Sequence, residues 1–189
     1  MKKIVIFASG SGTNAENIIK YFAKTQIGTV EAVFTNNQSA QVIERAKNYG
    51  VPSINLSKGE LNDGIVLQKI NKIQPDLIVL AGFLLKFPEN IITAYPDRIV
   101  NIHPALLPKY GGKGMYGMNI HNAIVANNEK ETGITIHFVN ENYDEGNIIF
   151  QKSVALTGDE TPEEVAAKIH GLEQEYFPTV IEGILNHKI

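Results

Sequence analysis

A doubly wound α/β domain with a mostly parallel sheet is the fold this sequence predicts, on three observations. Apolar runs of strand length alternate with stretches of helical periodicity through residues 1–100. The strand runs are apolar at successive positions, so both faces of each strand are buried, as in a parallel sheet covered by helices on each side. A glycine-rich turn, Ser9-Gly10-Ser11-Gly12-Thr13-Asn14-Ala15, follows the first strand and opens the first helix, where such sheets bind ligands. The length of 189 residues suits one compact domain with a sizeable core.

Each element has its own signal. Lys3-Ile4-Val5-Ile6-Phe7-Ala8 is the first strand. Helical spacing runs from Asn14 to Lys24, with Ile18, Ile19 and Phe22 on one face. Val30 to Phe34 is the second strand, and Ala40 to Tyr49 a helix ended by Gly50. Pro52 to Leu56 reads as a short strand and Gly64 to Ile73 as a helix. Asp76-Leu77-Ile78-Val79-Leu80-Ala81 is a fourth strand, and Arg98 to His103 a fifth.

The second part reads differently. Asn119 to Asn127 is helical, and two strands, Thr132 to Val139 and Asn147 to Gln151, flank a short loop. Strands that close form a hairpin, so the sheet is expected to become mixed there. The last, long helix opens at Thr161-Pro162-Glu163-Glu164, with Thr161 as N-cap, Pro162 at its first position and Glu164 closing a capping box. Pro178 is expected to kink or split it, because proline lacks a backbone donor and crowds the preceding turn.

Composition narrows the function. The formal net charge is −3, so no basic footprint argues for nucleic acid. No apolar run is long enough to span a bilayer, and no charged-then-apolar leader precedes the first strand. With no cysteine in the chain, disulfides, thiolate catalysis and cysteine metal sites are excluded. A cytoplasmic protein is the expectation.

The chemistry gathers in three places. In the glycine turn, a helix N-terminus with free N–H groups suits a phosphate, although a bare Gly-x-Gly serves equally well as a tight connection. Gly10-x-Gly12-x-x-Ala15 also fits a dinucleotide fingerprint, but the second strand ends in Thr35-Asn36-Asn37-Gln38. No carboxylate stands there to hold a ribose diol, and no Walker lysine is present. Next, Asn101-Ile102-His103-Pro104 puts an amide and an imidazole on the same face of a strand end. Asp144, in the loop Asn140-Glu141-Asn142-Tyr143-Asp144-Glu145-Gly146, can reach that imidazole if the loop folds back, raising its pKa. A lone histidine is more often structural and a lone aspartate a turn residue; their combination with Asn101 argues for chemistry. His137 is expected to give a supporting hydrogen bond, His121 lies on a helix and His187 in the tail. No pair of these has metal-ligand spacing, so no metal is expected. Finally, Ala81-Gly82-Phe83-Leu84-Leu85-Lys86-Phe87 makes an apolar lip beside the same sheet edge, right for a flat aromatic ligand.

Gly10-Ser11-Gly12-Thr13-Asn14, Ala81-Gly82-Phe83, Asn101-Ile102-His103-Pro104-Ala105-Leu106-Leu107-Pro108-Lys109-Tyr110 and Asp144-Glu145-Gly146 together resemble the folate-dependent formyltransferases, from residue 1 to about residue 185. The resemblance implies a Rossmann-like fold in one domain, 1–189, with a phosphate-binding half (1–100) and a catalytic and folate half (101–189). It implies direct transfer of a formyl group from 10-formyltetrahydrofolate, as co-substrate, to the amine of glycinamide ribonucleotide, without metal. Asn101, His103 and Asp144 would be catalytic, with protonated His103 and the Asn101 amide steadying the tetrahedral oxyanion. Gly12, Thr13, Asn14 and Glu173 would hold phosphate and ribose. Leu84, Leu85, Lys86, Phe87, Asn101, Asn140 and Glu141 would border the folate. The loop from Gly111 to Gly117 is longer than in many members, and near Gly59 no arginine stands where many members carry one; Lys58 is the nearest cation. The partners implied are small molecules, with no membrane or nucleic acid, in a monomer or weak homodimer.

Two other kinds of function compete with this one. A relative acting on charged tRNA normally has a further nucleic-acid-gripping domain, a hydrolase a regulatory domain, and an amino-sugar enzyme a nucleotide pocket. A noncatalytic phosphate-binding domain would have no need of a His–Asp pair beside its ligand.

Overall fold

A computed structural model describes residues 1–188. In chain order the elements are β1 (Lys2–Phe7), α1 (Thr13–Thr25), β2 (Gly28–Thr35), α2 (Val42–Lys47), β3 (Ser53–Asn55), α3 (Lys58–Asn62), α4 (Ile65–Ile73), β4 (Leu77–Leu80), α5 (Glu89–Ala94), β5 (Ile99–His103), α6 (Met118–Ala126), β6 (Glu131–Phe138), β7 (Ile148–Ala155) and α7 (Pro162–Leu185). The strands form one sheet in the order β3-β2-β1-β4-β5-β6-β7. β1 to β5 are parallel, while β6 and β7 run antiparallel to their neighbours. The doubly wound, mostly parallel fold with a mixed C-terminal part is therefore observed.

Strand alternation divides the core between the two faces of the sheet. Ile4 and Ile6 of β1 join one cluster with Ile18, Phe22, Ile120, Ile169 and Phe177. Val5 and Phe7 join the other with Phe34, Val66, Ile70 and Ile91. Each such buried side chain contributes about 1.5–3 kcal/mol relative to exposure. α1 follows from its spacing: Ala15, Ile18, Ile19 and Phe22 are buried, the i, i+3, i+4, i+7 stripe of an amphipathic helix.

Two short helices, α3 and α5, fall where no helix was expected. The signal for α3 was present: Ser57 and Glu60 form a reciprocal capping box. α7 corrects another expectation. Thr161 caps it as expected, but Pro178 does not split it: one helix runs from Pro162 to Leu185. The missing proline N–H would have bonded the Gln174 carbonyl; Asn17 Nδ2 of α1 donates to that oxygen instead, at 2.8 Å. A neighbouring helix thus satisfies the group that proline leaves open.

Candidate active site

Strand order reverses between β1 and β4, and the turns leaving these strands diverge there. Such a switch point opens a crevice at the C-terminal edge of the sheet. A cavity of about 570 Å³ occupies it, bordered by the glycine turn, Gly82–Leu84, Asn101–Pro104, the Gly112–Gly117 loop, Asp144 and the α7 residues His170 and Glu173. Ser9 ties the two turns together: its Oγ accepts from Leu84 N at 2.9 Å and donates to Asn36 Oδ1 at 2.6 Å.

The glycine turn is set by packing as much as by any ligand. Gly12 caps α1 with φ 72°, and a Cβ there would lie 2.7 Å from Val42 Cα and 2.3 Å from Val42 Cγ2. A side chain would therefore collide with α2. Thr13 and Asn14 begin α1, so their backbone N–H groups lack helical partners and border the cavity. The Asn14 side chain is already engaged: Nδ2 donates to Glu173 Oε2 at 3.0 Å, and Oδ1 accepts from Gln174 Nε2 at 2.9 Å. Asn14 thus offers the cavity its backbone rather than its amide, and Glu173 is brought next to the phosphate turn.

Asn101, His103 and Asp144 do converge. In the β5–β6 register Asn101 faces His137 and His103 faces Thr135, and cross-strand neighbours lie within side-chain reach. Asn101 Nδ2 lies 3.1 Å from His137 Nε2. His137 Nδ1 lies 2.7 Å from the Phe138 carbonyl, so the ring donates there and accepts the Asn101 amide proton. The second N–H of that amide has no partner among the described residues. Asp144 Oδ1 sits 3.6 Å from His103 Nδ1 and 3.7 Å from His137 Nε2. Its other oxygen accepts the Gly112 N–H at 2.9 Å. Asp144 adopts φ 56°, a left-handed conformation that aspartate tolerates better than most residues. His137, expected in a supporting role, touches both Asn101 and Asp144.

The segment after β5 is fixed from beneath by a buried hydroxyl. Thr135 Oγ1 donates to the Ala105 carbonyl at 2.7 Å and accepts from Leu107 N at 3.0 Å and Gln151 Nε2 at 2.9 Å. His103 is only 3% exposed, and Nε2 donates to the Tyr110 carbonyl at 2.8 Å.

Burial is the strongest influence on His103. It favours the neutral ring and outweighs the Asp144 charge and the Tyr110 carbonyl, while His137 opposes protonation further. The His103 pKa therefore lies below the ordinary imidazole value, correcting the expectation that Asp144 holds the ring charged at rest. Burial also penalises the Asp144 carboxylate. The neighbouring imidazoles His137 and His103, when protonated, and the Gly112 amide together overcome that penalty and hold its pKa low. The pair is poised as a neutral base beside a carboxylate that can receive an imidazolium.

A smaller cleft adjoins the trio. It is lined by Phe83, Leu85, Lys86 and Phe87 after β4, by Asn140, Glu141, Asn142 and Tyr143 after β6, and by Asn101 and His137. Leu84 borders the larger cavity and is exposed. Phe87 also anchors the lip in the core, its ring 5.0 Å from that of Phe7. The expected folate residues are thus brought together around Asn101. Lys58 opens α3 and lines neither cavity; Lys113 borders the larger and Lys86 the smaller.

The sequence reading missed two cavity histidines. His121 is buried, with Nδ1 unpartnered, and burial lowers its pKa. His170 Nδ1 lies 3.5 Å from Glu173 Oε2, and this contact raises its pKa. His121 shares α6 with the core residues Ile120 and Ile124, and its place on the cavity side was open only to tertiary structure. Among the described residues no group of three or more His, Asp or Glu could hold a metal ion, and no helix is long and apolar enough to cross a membrane.

Comparison with known proteins agrees with this geometry. The chain is 36% identical over 195 residues to a chloroplastic phosphoribosylglycinamide formyltransferase of Arabidopsis thaliana, matching 100% of this chain and 67% of that protein. It is 33% identical over 192 residues to the phosphoribosylglycinamide formyltransferase of Escherichia coli, covering 98% of this chain and 88% of the relative. The crystal structure of phosphoribosylglycinamide formyltransferase from Anaplasma phagocytophilum superposes with a TM-score of 0.90 at 29% identity, covering 100% of this chain and 89% of that one. The formyl transferase family profile matches residues 2–181, and the chain belongs to that family.

Proposed function

We infer that this chain transfers the formyl group of 10-formyltetrahydrofolate to the amine of 5'-phosphoribosylglycinamide, a step of purine biosynthesis. The observation that carries this reading is the convergence of Asn101, His103 and Asp144, with Asp144 Oδ1 3.6 Å from the imidazole, between a phosphate-type turn and a cleft of mixed polarity bordered by Phe83, Leu85 and Phe87. Relatives bearing that enzyme's name match nearly the whole chain.

In this mechanism the substrate phosphate meets the backbone N–H groups of Gly12, Thr13 and Asn14, and Glu173 holds the ribose. The pterin lies in the cleft between Leu84–Phe87 and Asn140–Glu141. The neutral amine attacks the formyl carbon, forming a C–N bond and a tetrahedral oxyanion. The free Asn101 N–H steadies that oxygen; one such donor is commonly worth about 10²–10³ in rate. Neutral His103 accepts the proton released by the attacking nitrogen, and Asp144 stabilises the imidazolium. The proton then passes to N10 of the folate as its bond to carbon breaks. Placing both reactants side by side supplies much of the remaining acceleration.

We place the whole chain in one domain: the glycine turn in its first half and the trio in its second border one cavity. Ile189, its last residue, lies outside the described residues. The reading includes a cytoplasmic monomer or weak homodimer acting on small molecules, and the net charge of −3 supports the absence of nucleic acid.

The test is formyl transfer by the purified chain with 5'-phosphoribosylglycinamide and 10-formyltetrahydrofolate, followed by folate absorbance and product mass. Binding of phosphate esters without turnover would instead support a noncatalytic binding domain. Hydrolysis of the formyl donor without an acceptor would support a hydrolase.

A further inference from the structure

Two backbone groups, two residues apart, hold the ionisable members of the trio. The Tyr110 carbonyl receives His103 Nε2 at 2.8 Å, and the Gly112 N–H donates to Asp144 Oδ2 at 2.9 Å. The direction of both groups depends on the turn at Tyr110, a non-glycine residue with φ 57°. That conformation is strained for a residue with a side chain and persists only where its surroundings enforce it.

The enforcing contacts lie at the far end of the Tyr110 side chain. Its phenol donates to Glu129 Oε1 at 2.9 Å and accepts from Asn127 Nδ2 at 2.9 Å. Lys109 Nζ holds the same carboxylate at 3.0 and 3.2 Å. The ring packs against the core cluster on the α1–α7 side of the sheet. Asn127 and Glu129 immediately follow α6, so the segment after β5 is pinned to the loop between α6 and β6.

We propose that Tyr110 is a positioning residue for formyl transfer: its phenol, clamped between Glu129 and Asn127, fixes the turn whose carbonyl and amide aim His103 and Asp144 at the reacting carbon. The inference rests on the proposed function, since it assigns a task to the same site.

The charged groups around each end are few. His103 faces Asp144 and His137. Glu129 faces Lys109, whose other acidic neighbour is Glu131. Burial and the Glu129 contact raise the Tyr110 phenol pKa against the opposing pull of Asn127 and Lys109, so it remains a donor across the neutral range.

Tyr110→Phe removes the hydroxyl alone. The expected result is a kcat lower by about tenfold, the scale of a modest misplacement of catalytic groups, with KM for both substrates within twofold. The Tyr110 carbonyl favours the protonated imidazole, so weakening its aim moves the acidic limb of the kcat profile to lower pH. Glu129→Ala should behave like Tyr110→Phe, while Glu129→Gln, which keeps an acceptor for the phenol, should restore most of the rate. Histidine-ring NMR titration without substrate gives a readout independent of turnover: the His103 resonance should titrate at lower pH in Tyr110→Phe than in wild type. Melting curves confirm folding, and Asn127→Ala offers a milder disruption should Tyr110→Phe not fold. An unchanged His103 titration in folded Tyr110→Phe or Asn127→Ala, or a loss confined to KM, overturns the positioning role. A wild-type chain that moves no formyl group overturns the function instead, leaving the titration comparison intact.

Discussion

Replacing Asp144 by asparagine removes one charge and little else. The asparagine carbonyl can still accept the Gly112 N–H, and asparagine tolerates the left-handed conformation recorded at φ 56°. The charge removed lies 3.6 Å from His103 Nδ1, so its attraction for an imidazolium is about 4.6 kcal/mol at an effective dielectric of about 20. Asp144 is 13% exposed, and solvent at the cavity mouth reduces the usable part to about 3 kcal/mol. That corresponds to a kcat lower by roughly 10²–10³. Because burial keeps His103 neutral in the ground state, the loss belongs to kcat, and KM for both substrates should stay within about threefold. The acidic limb of the kcat profile should also move to lower pH, since removing the anion disfavours protonated His103. Steady-state formyl transfer from pH 5 to 9, with a melting curve as the folding control, makes the measurement. A folded Asp144→Asn enzyme with kcat within threefold of wild type would refute the idea that an imidazolium forms beside this carboxylate in the transition state.

Other perturbations test the framework around the trio. Gly12→Ala combines a left-handed backbone at φ 72° with a Cβ 2.7 Å from Val42 Cα; it should cost about 2–4 kcal/mol and lower Tm by roughly 5–15 °C. A wild-type melting curve would show that α2 yields at no cost. Thr135→Val removes a buried hydroxyl that serves Leu107, Ala105 and Gln151 and leaves backbone groups unpaired, at about 2–4 kcal/mol; denaturant unfolding reads it, and a loss below about 1 kcal/mol contradicts it. Acid should destabilise the fold. Burial lowers the folded-state pKa of His103 and His121, so the unfolded chain binds more protons as pH falls below the ordinary imidazole value of about 6.5. The depressed Asp144 pKa adds stability above the ordinary carboxylate range that is lost on further acidification. Tm should therefore fall from pH 7 to pH 5, less steeply in His121→Leu; identical slopes would remove His121 from this account.

The sequence alone determined the class of sheet, the position of the glycine turn and the pairing of Asn101 with His103. It could do so because those signals are local: two-faced apolar runs mark buried parallel strands, and Asn101-x-His103 places both side chains on one face of a strand whatever surrounds it. The capping box at Thr161 was legible for the same reason. Tertiary structure decided what depends on partners distant in the chain. Pro178 leaves α7 intact because Asn17, 157 residues from Gln174, supplies the missing hydrogen bond. Asn14 turns its amide to Glu173 rather than to the cavity, His121 reaches the cavity wall, and Tyr110 and Gly112 hold His103 and Asp144 through their backbones. The charge of His103 was also decided in three dimensions. The fold brings the Asp144 carboxylate beside the imidazole and also sets how much water remains around the pair, and here its exclusion outweighs the attraction.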